Sequence, residues 1–326
     1  MYAVAKRIVW MPITVVLAAC GGGGGSGGSS PPGTGTPDQA TRISAAQQTA
    51  TNNSFCTAVS PFYYELGDRN GAILSGSIGA TYTATTQMNI ASASKWLFGA
   101  YVAEVRSGVL TADDTRATHM LSGYVSMSSG CGAGATVQSC FITSGHDAYT
   151  ASEFNRYFYD SGHFQRWGVD NGMGAMTGTD VANAYQTTLG VTSRFNGPLL
   201  AGGAIMSASD YSVFLRRILN NQLKIAGLLG DQKTCTLPGT CPTADYSPIA
   251  AEAWNYSIGH WVEDAPGVGD GAFSSAGAFG FYPWIDSTKT YYGILAREDM
   301  TGTNRGYASA QCGRLIRKAY VTGTAQ

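Results

Sequence analysis

The first residues of this sequence that could do chemistry are a serine and a lysine one helical turn apart. Lys95 is followed by three large apolar residues, and no other lysine occurs between Lys6 and Lys224. Burying a lysine in such surroundings is costly unless its charge is paired or lost. Ser92 lies three positions earlier, which places both side chains on the same face of a helix. A lysine whose pKa is lowered by burial can activate a serine hydroxyl as a nucleophile without a histidine.

The Ser92–Lys95 pair also has a purely structural interpretation. The serine could cap a helix, and the lysine could lie along an apolar surface with its ammonium in water. A serine-x-x-lysine pair on its own is common by chance. Ser92, however, precedes an apolar helical segment, and a helix N-terminus supplies backbone N–H groups and a positive dipole end. We therefore predict a catalytic site with Ser92 as the nucleophile and Lys95 as the base.

Composition and charge exclude several other kinds of site. The chain has 326 residues, 13% of them charged, and its net charge is −1, so no basic face for nucleic acid is expected. The four histidines lack the spacing of metal ligands, no C-x-x-C motif occurs, and we expect neither a metal nor an organic cofactor. A Ser–His–Asp triad has no G-x-S-x-G elbow to support it. We expect His163 and His260 to be structural, or at most to line a pocket.

The N-terminus is similar to that of a bacterial lipoprotein. Lys6 and Arg7 precede an apolar stretch, residues 8–16, that is too short for a comfortable membrane span. The Leu-Ala-Ala-Cys sequence ending at Cys20 resembles a lipobox, so we predict a signal peptide over 1–20, lipidation of Cys20 and a Gly/Ser/Pro-rich tether over 21–37. The alternative is an ordinary signal peptide cleaved nearby. We expect an exported protein, lipid-anchored to a bacterial membrane and facing the periplasm or the exterior; which membrane stays open.

The cysteines agree with export. Of the seven, removal of Cys20 as the lipid acceptor leaves six, an even number in an oxidising compartment. Short spacing suggests the loop disulfides Cys131–Cys140 and Cys235–Cys241. The remaining pair, Cys56–Cys312, would join the two ends of the domain, which is the largest of the three entropic constraints.

The elements that must position Ser92 and Lys95 form an α/β (α+β) pattern over 38–326. Asn70-Gly71 between two strand-like runs predicts a hairpin. An amphipathic helix starts near Ser207 or Ser209. Further strands are predicted at 253–262, 273–285 and 290–296, and helices at 38–51 and 304–318. We predict an antiparallel sheet flanked by N- and C-terminal helices, built from 38–110 and 248–326, with an inserted, mainly helical subdomain over 111–247.

Four stretches, in order along the chain, resemble the class C β-lactamase-like serine hydrolases. This family includes β-lactamases, D-alanyl peptidases, esterases and 6-aminohexanoate-dimer hydrolases, and the first stretch belongs to the serine-x-x-lysine motifs of penicillin-binding proteins and serine β-lactamases. The stretches are Ser-Ala-Ser-Lys (92–95), Phe-Tyr-Asp-Ser-Gly (158–162), the Gly-Gly loop before a helix (200–210) and Ser-Ala-Gly-Ala-Phe-Gly (275–280). The resemblance implies a β-lactamase/DD-peptidase-like fold.

The resemblance also implies roles for individual residues. Ser92 would attack a carbonyl and form an acyl-enzyme, Lys95 would accept its proton, and Tyr159 would pass that proton to the leaving group. The N–H groups of Ser92 and Ala278 would form the oxyanion hole. Ser161 would be an auxiliary hydrogen-bonding group. The spacing of 67 residues between Ser92 and Tyr159 (159 − 92) is short for the family, so three nearby tyrosines stay as alternatives: Tyr124, Tyr149 and Tyr157.

Departures from the family pattern indicate the substrate class. Ser275 and Ala276 stand where the family usually has a cation and a threonine that hold a substrate carboxylate. With Gly277 and Phe279 they are the predicted substrate-binding residues, and we expect further aromatic lining from Phe281, Tyr282 and Trp284. The sequence therefore favours a serine hydrolase that cleaves small or oligomeric carboxylic esters or linear amides. The alternatives are a β-lactamase or D-alanyl peptidase, or a catalytically silent binding or sensor lipoprotein.

Overall fold

The computed structural model describes residues 36–127, 129–302 and 304–326. The predicted signal peptide 1–20, its lipidation site Cys20 and the tether as far as residue 35 lie outside the described residues. Within the described part of the chain, no helix has both the length and the apolar character needed to cross a membrane.

The strands build one large sheet and three small ones. The strands are β1 (Phe62–Asp68), β2 (Gly71–Ile78), β3 (Met88–Asn89), β4 (Ser122–Tyr124), β5 (Tyr149–Phe154), β6 (Tyr157–Phe158), β7 (Arg194–Phe195), β8 (Ala204–Met206), β9 (Thr234–Cys235), β10 (Ala244–Tyr246), β11 (Asn255–Ser257), β12 (His260–Glu263), β13 (Ala272–Ser274), β14 (Tyr282–Ile285) and β15 (Tyr291–Ala296). The large sheet is antiparallel, with the order β2-β1-β15-β14-β13-β12-β11-β9. The last strand, β15, pairs with β1, so the sheet joins the two ends of the domain.

Helices lie on both faces of the large sheet. The α-helices of the described residues are α1 (Gln39–Asn52), α2 (Ser54–Thr57), α3 (Ser94–Val105), α4 (Ala112–Thr118), α5 (Val137–Ile142), α6 (Gly162–Gly168), α7 (Gly178–Leu189), α8 (Ala208–Leu219) and α9 (Arg305–Thr322). Tyr291 and Tyr292 are adjacent in β15 and so point to opposite faces. Tyr291 packs on Tyr320 of α9, whereas Tyr292 accepts a hydrogen bond from Arg216 of α8. Helix α9 therefore lies on one face and α8 on the other.

This two-sided cover explains the sequence of β1. Six of its seven residues are buried, with no alternation between buried and exposed positions. A strand of an antiparallel sheet alternates only when one face is open to water. The predicted antiparallel sheet with flanking terminal helices is confirmed. Helix α8, which falls inside the predicted helical segment 111–247, packs against the sheet instead.

Local signals fixed several elements correctly. Asp38 caps α1 by accepting a hydrogen bond from the Thr41 N–H at 2.7 Å. Ser207 forms a capping box with Asp210 at the start of α8, and the apolar residues of that helix are buried. The Asn70-Gly71 hairpin joins β1 to β2.

Two predictions of single strands were wrong. Segment 253–262 is the hairpin β11–β12, because Gly259 adopts a φ of +70° and reverses the chain. Segment 273–285 is divided into β13 and β14 by a tight loop over 275–281. In that loop the Gly277 N–H donates to the Phe281 carbonyl at 2.8 Å, and the Gly280 N–H donates to the Gly277 carbonyl at 2.9 Å. Strand β9 lies inside the segment 111–247 that was predicted to be mainly helical, and no strand was predicted there.

Three disulfides lie in the described chain, and their pairs are those expected from spacing: Cys56–Cys312, Cys131–Cys140 and Cys235–Cys241. The first joins α2 to α9 and so fastens the N-terminal helices to the C-terminal helix. The other two close short loops of the middle segment.

Candidate active site

Ser92 lies in a one-turn 3-10 helix, Ala91–Ala93, that leads directly into α3. The preceding residue, Ala91, has a φ of +45°, a strained conformation for an alanine and one that is typical of functional sites. The Ser275 hydroxyl donates to the Ser92 carbonyl at 3.0 Å, and the Ile90 N–H donates to the Ala204 carbonyl at 3.1 Å. These bonds hold the strained turn from two sides.

Lys95 is buried at the first turn of α3, with 3% of its surface exposed. Its Nζ donates to Ser92 Oγ at 3.0 Å and to the Ala201 carbonyl at 3.0 Å. Burial lowers the pKa of Lys95 to about 7, and the negative charge of Asp160 partly opposes that shift. An amine with this pKa can accept a proton near neutral pH.

A close backbone contact fixes the position of α3. The turn between β11 and β12 packs directly on α3, because a Cβ at Gly259 would collide with the Lys95 carbonyl oxygen. On the opposite side of that contact, a Cβ at Gly99 would collide with the Ile258 carbonyl oxygen. Only glycine pairs of this kind allow such an approach, and it fixes Lys95 relative to the sheet.

Tyr159 lies beside Lys95 and Ser92. Its ring stacks on Trp261 at a centroid distance of 5.3 Å, and Lys95 Nζ lies 4.6 Å from the ring centroid. Its backbone N–H donates to the Tyr246 carbonyl at 3.1 Å. Burial raises the pKa of Tyr159 above its usual value, although hydrogen bonding with Ser92 acts in the opposite direction. Tyr159 is therefore a phenol, a proton donor, at neutral pH.

A cavity of about 110 Å³ opens beside Ser92. Its described lining consists of Ser92, Tyr159, Pro248, Ile249, Trp261, Ala276, Ala278, Asn304, Gly306 and Tyr307. None of these side chains carries a formal charge. Ala278 lies in this lining, and its N–H has no acceptor among the described residues.

The structure brings together some of the predicted site residues and separates others. Ser92, Tyr159, Ala276 and Ala278 line the cavity, with Lys95 directly behind Ser92. The alternative tyrosines Tyr124, Tyr149 and Tyr157 do not line it. Tyr157 is fully buried, and its hydroxyl has no partner in the described residues.

The predicted substrate-binding residues Ser161, Ser275, Gly277 and Phe279 do not line the cavity. Ser275 is buried, and its hydroxyl donates a hydrogen bond to the Ser92 carbonyl. The Ser161 carbonyl accepts hydrogen bonds from the first turn of α6. Gly277 packs on the Ile90 carbonyl, where a Cβ would collide. Ser275 and Gly277 therefore support the turn that carries Ser92.

The expected aromatic lining is also incorrect for three residues. Phe281, Tyr282 and Trp284 are at most 2% exposed and belong to the core. The aromatic walls come instead from Trp261 on β12 and Tyr307 on α9, which no motif indicated. Asp160, whose charge acts on Lys95, was also missed, although it directly follows Tyr159 in the sequence.

The histidines are occupied elsewhere. His163 accepts from the Ser122 N–H at 3.1 Å and shares a hydrogen bond with its hydroxyl at 2.7 Å, and His260 stacks on Trp96. Burial lowers the pKa of His163 to about 4 and that of His260 to about 3. Neither lines the Ser92 cavity. In the described residues, no three His, Cys, Asp or Glu side chains cluster in a way that could hold a metal ion.

A larger cavity, of about 450 Å³, lies among α4, α6 and the β4–β5 pair, and shares no lining residue with the Ser92 cavity. Its three arginines are each ion-paired: Arg106 with Asp114, Arg116 with Asp113 and Arg166 with Asp170. It contains the Ser122–His163 pair, but a histidine with so low a pKa is a weak base at neutral pH.

Comparison with known proteins establishes the fold. No family model matches this sequence, and no curated protein matches it. Among solved structures, it is similar to a β-lactamase from Mycobacterium bovis (TM-score 0.54, 17% identity, covering 80% of this chain and 96% of that one). It is also similar to a D-amino acid amidase from Ochrobactrum anthropi (TM-score 0.60, 11% identity, covering 85% of this chain and 96% of that one). A third similar structure is EstCE1, a hydrolase with promiscuous acyltransferase activity (TM-score 0.60, 12% identity, covering 87% of this chain and 98% of that one). The chain has the β-lactamase/penicillin-binding-protein-like fold that its four motifs predicted.

Proposed function

We propose that this chain of β-lactamase-like fold is a serine hydrolase that cleaves carboxylic esters or linear amides through an acyl-serine intermediate. The observation that carries the proposal is the 3.0 Å contact between Lys95 Nζ and Ser92 Oγ, made by a buried lysine whose pKa is about 7. Two proteins of the same fold, a D-amino acid amidase and a hydrolase with promiscuous acyltransferase activity, support this choice of reaction.

The first half of the reaction forms the acyl-enzyme. Neutral Lys95 takes the hydroxyl proton as Ser92 Oγ bonds to the substrate carbonyl carbon. The carbonyl oxygen becomes an oxyanion, which the N–H groups of Ser92 and Ala278 stabilise. When the intermediate collapses, the bond from carbon to the leaving group breaks. Tyr159 gives its proton to the leaving group and regains one from Lys95.

The second half releases the acid. A water molecule attacks the acyl carbon, and its proton passes to the Tyr159–Lys95 pair. The bond from the carbon to Ser92 Oγ then breaks, and the serine oxygen regains its proton. Apart from the protein groups named above, these steps use only the substrate and water.

The uncharged lining supports the ester or linear amide class. Ser275 stands where related enzymes hold a cation, and its hydroxyl is bound to the Ser92 carbonyl. A substrate carboxylate would find no cation among the described lining residues of the cavity. A β-lactam or a D-alanyl peptide, each of which carries such a carboxylate, would therefore be held poorly.

We also propose that the domain works outside the cytoplasm. Three disulfides favour an oxidising compartment. Lipidation at Cys20, which would tether the domain to a membrane, stays a prediction from the sequence.

The test is labelling of the soluble domain, residues 38–326, with a fluorophosphonate probe, alongside turnover of p-nitrophenyl acetate and nitrocefin. We expect labelling and ester turnover that Ser92→Ala abolishes. Ser122→Ala is the matched control, because Ser122 also hydrogen-bonds a basic nitrogen, and it should label normally. Absence of labelling in the folded wild-type domain would point to a silent binding protein. Faster turnover of nitrocefin than of the ester would point to β-lactam chemistry.

A further inference from the structure

The walls of the Ser92 cavity come from three separate segments. Pro248 and Ile249 form one side, Ala276 and Ala278 of the β13–β14 loop form another, and Tyr307 at the start of α9 forms a third. Trp261 and Tyr159 stack on each other between them. At about 110 Å³ the space is well below the roughly 300 Å³ at which drug-sized pockets begin.

The Tyr307 wall is held rigidly. Its hydroxyl donates to Glu252 Oε1 at 2.8 Å, and Glu252 is bound by both Nη atoms of Arg314, at 2.9 and 3.1 Å. The ring also packs on Trp254, at a centroid distance of 6.1 Å. A wall fixed on two sides in this way cannot yield easily to a longer ligand.

The Ile249 wall is held by a local turn. The Ser247 hydroxyl accepts from the Ile249 N–H at 3.3 Å and donates to the Ile249 carbonyl at 3.1 Å. Ile249 itself is 4% exposed and belongs to the hydrophobic core. Its side chain therefore has packed neighbours behind it and little room to move aside.

The charge around the cavity opposes an ionic ligand group. The described lining carries no formal charge, and the carboxylate closest behind the Tyr307 wall, Glu252, is already neutralised by Arg314. An anionic group placed there would lose its hydration without gaining a partner.

Of the two parts of the substrate, the acyl group fits such a cavity better than the leaving group. The leaving group must depart before water attacks, so it needs an open path. The acyl group stays bonded to Ser92 Oγ from acylation until water releases it, and a small, uncharged recess beside that atom suits it. An apolar cavity of roughly 150 Å³ holds benzene, so about four carbons fill one of this size.

We infer that Ile249 and Tyr307 determine specificity, closing an acyl pocket that restricts the substrate to esters or amides of short, uncharged carboxylic acids. This inference rests on the proposed function and narrows it to a substrate class. Neither residue takes part in the chemistry; both act by limiting the space beside Ser92.

The test keeps the leaving group constant and changes only the acyl group. We would measure kcat/KM for the p-nitrophenyl esters of acetate, butyrate and octanoate and for the mono-p-nitrophenyl ester of succinate. We expect acetate and butyrate to be preferred over octanoate and succinate by about tenfold or more. Ile249→Ala and Tyr307→Ala should each raise the octanoate-to-acetate ratio about tenfold. Tyr307→Phe keeps the ring and removes only the hydrogen bond to Glu252, so its octanoate-to-acetate ratio should rise less than that of Tyr307→Ala.

Two other results would overturn the inference, and they differ from each other. If octanoate were hydrolysed as well as butyrate, or if active Ala variants left the ratio unchanged, the acyl pocket would be wrong while the hydrolase stood. If no ester, acetate included, showed turnover dependent on Ser92, the proposed function would fail and the acyl pocket with it.

Discussion

Lys95 and Arg317, two of the buried cations in the described residues, have different surroundings. Lys95 is 3% exposed and Arg317 is 1% exposed. Arg317 forms two bonds to Asp270, at 2.7 and 2.8 Å, and one to Glu263 at 3.0 Å. In the described residues, no carboxylate lies within ion-pair distance of Lys95 Nζ, whose partners are a hydroxyl and a carbonyl.

Because their partners differ, the pKa of Arg317 is raised and the pKa of Lys95 is lowered. Burial acts to lower both, but around Arg317 the charges of Glu263 and Asp270, together with Tyr282, outweigh it and raise the pKa well above its usual value. Around Lys95 burial prevails and lowers the pKa to about 7. A buried cation with its full set of counterions is a structural element, whereas one without them is a base.

The largest expected effect is on catalysis. Lys95→Met removes the base, so kcat/KM for p-nitrophenyl acetate should fall by about 10³-fold or more. The same variant should not lose stability at pH 6. Below pH 7 the folded wild-type protein holds an unpaired buried charge that the unfolded chain holds in water, so the charge is a cost there; that cost disappears as the pH rises towards 10.5. Urea unfolding checks the second point, and a large loss of stability at pH 6 would contradict the contrast between the two cations.

The next effect is on stability. Arg317→Met leaves the fully buried Glu263 with one counterion fewer, and the free energy of unfolding should fall by about 3–5 kcal/mol. The kcat/KM of the folded protein should change by less than about twofold, because Arg317 does not line the cavity. Lys318→Met is the matched control: the neighbouring side chain is exposed, and its removal should cost about 0.5 kcal/mol or less. Equal losses in the two variants would show that the buried network contributes nothing specific.

The smallest effect is a pH dependence. Since Lys95 must be neutral to accept a proton, kcat/KM should rise with pH to a plateau, with a midpoint near 7 and about a tenfold loss per pH unit well below it. The raised pKa of Tyr159 predicts no decline before pH 9. Initial rates in constant-ionic-strength buffers test this. A midpoint near 4 would instead implicate a buried histidine such as His163.

The parts of the site that sequence predicted were local. Ser92 and Lys95 are three residues apart at the start of one helix, and the apolar residues after them indicate that Lys95 is buried. Tyr159 came from the order of motifs, and the fold places it in the same cavity. The sheet was predicted where turn signals were strong, as at Asn70-Gly71, and misjudged where Gly259 reversed the chain inside an apolar run.

The site residues that the sequence did not reveal come from segments that only the folded chain brings together. Ile249, Trp261 and Tyr307 come from a loop, a strand and a helix, and they meet only because the sheet and α9 bring these segments together. No spacing rule connects such residues. The same holds for Ser275, whose hydroxyl could only be assigned to the Ser92 carbonyl once the strand break at 275–281 was known.

The central claim is that Lys95 is a neutral amine near physiological pH because it is buried without counterions. Its pKa can be measured directly by NMR, from the ¹³Cε shift of selectively labelled lysine against pH, with Lys95→Arg to assign the signal. The account predicts that the Lys95 signal titrates near pH 7, well below the roughly 10.4 of a lysine in a model peptide. A Lys95 signal that titrates near the model-peptide value would contradict it.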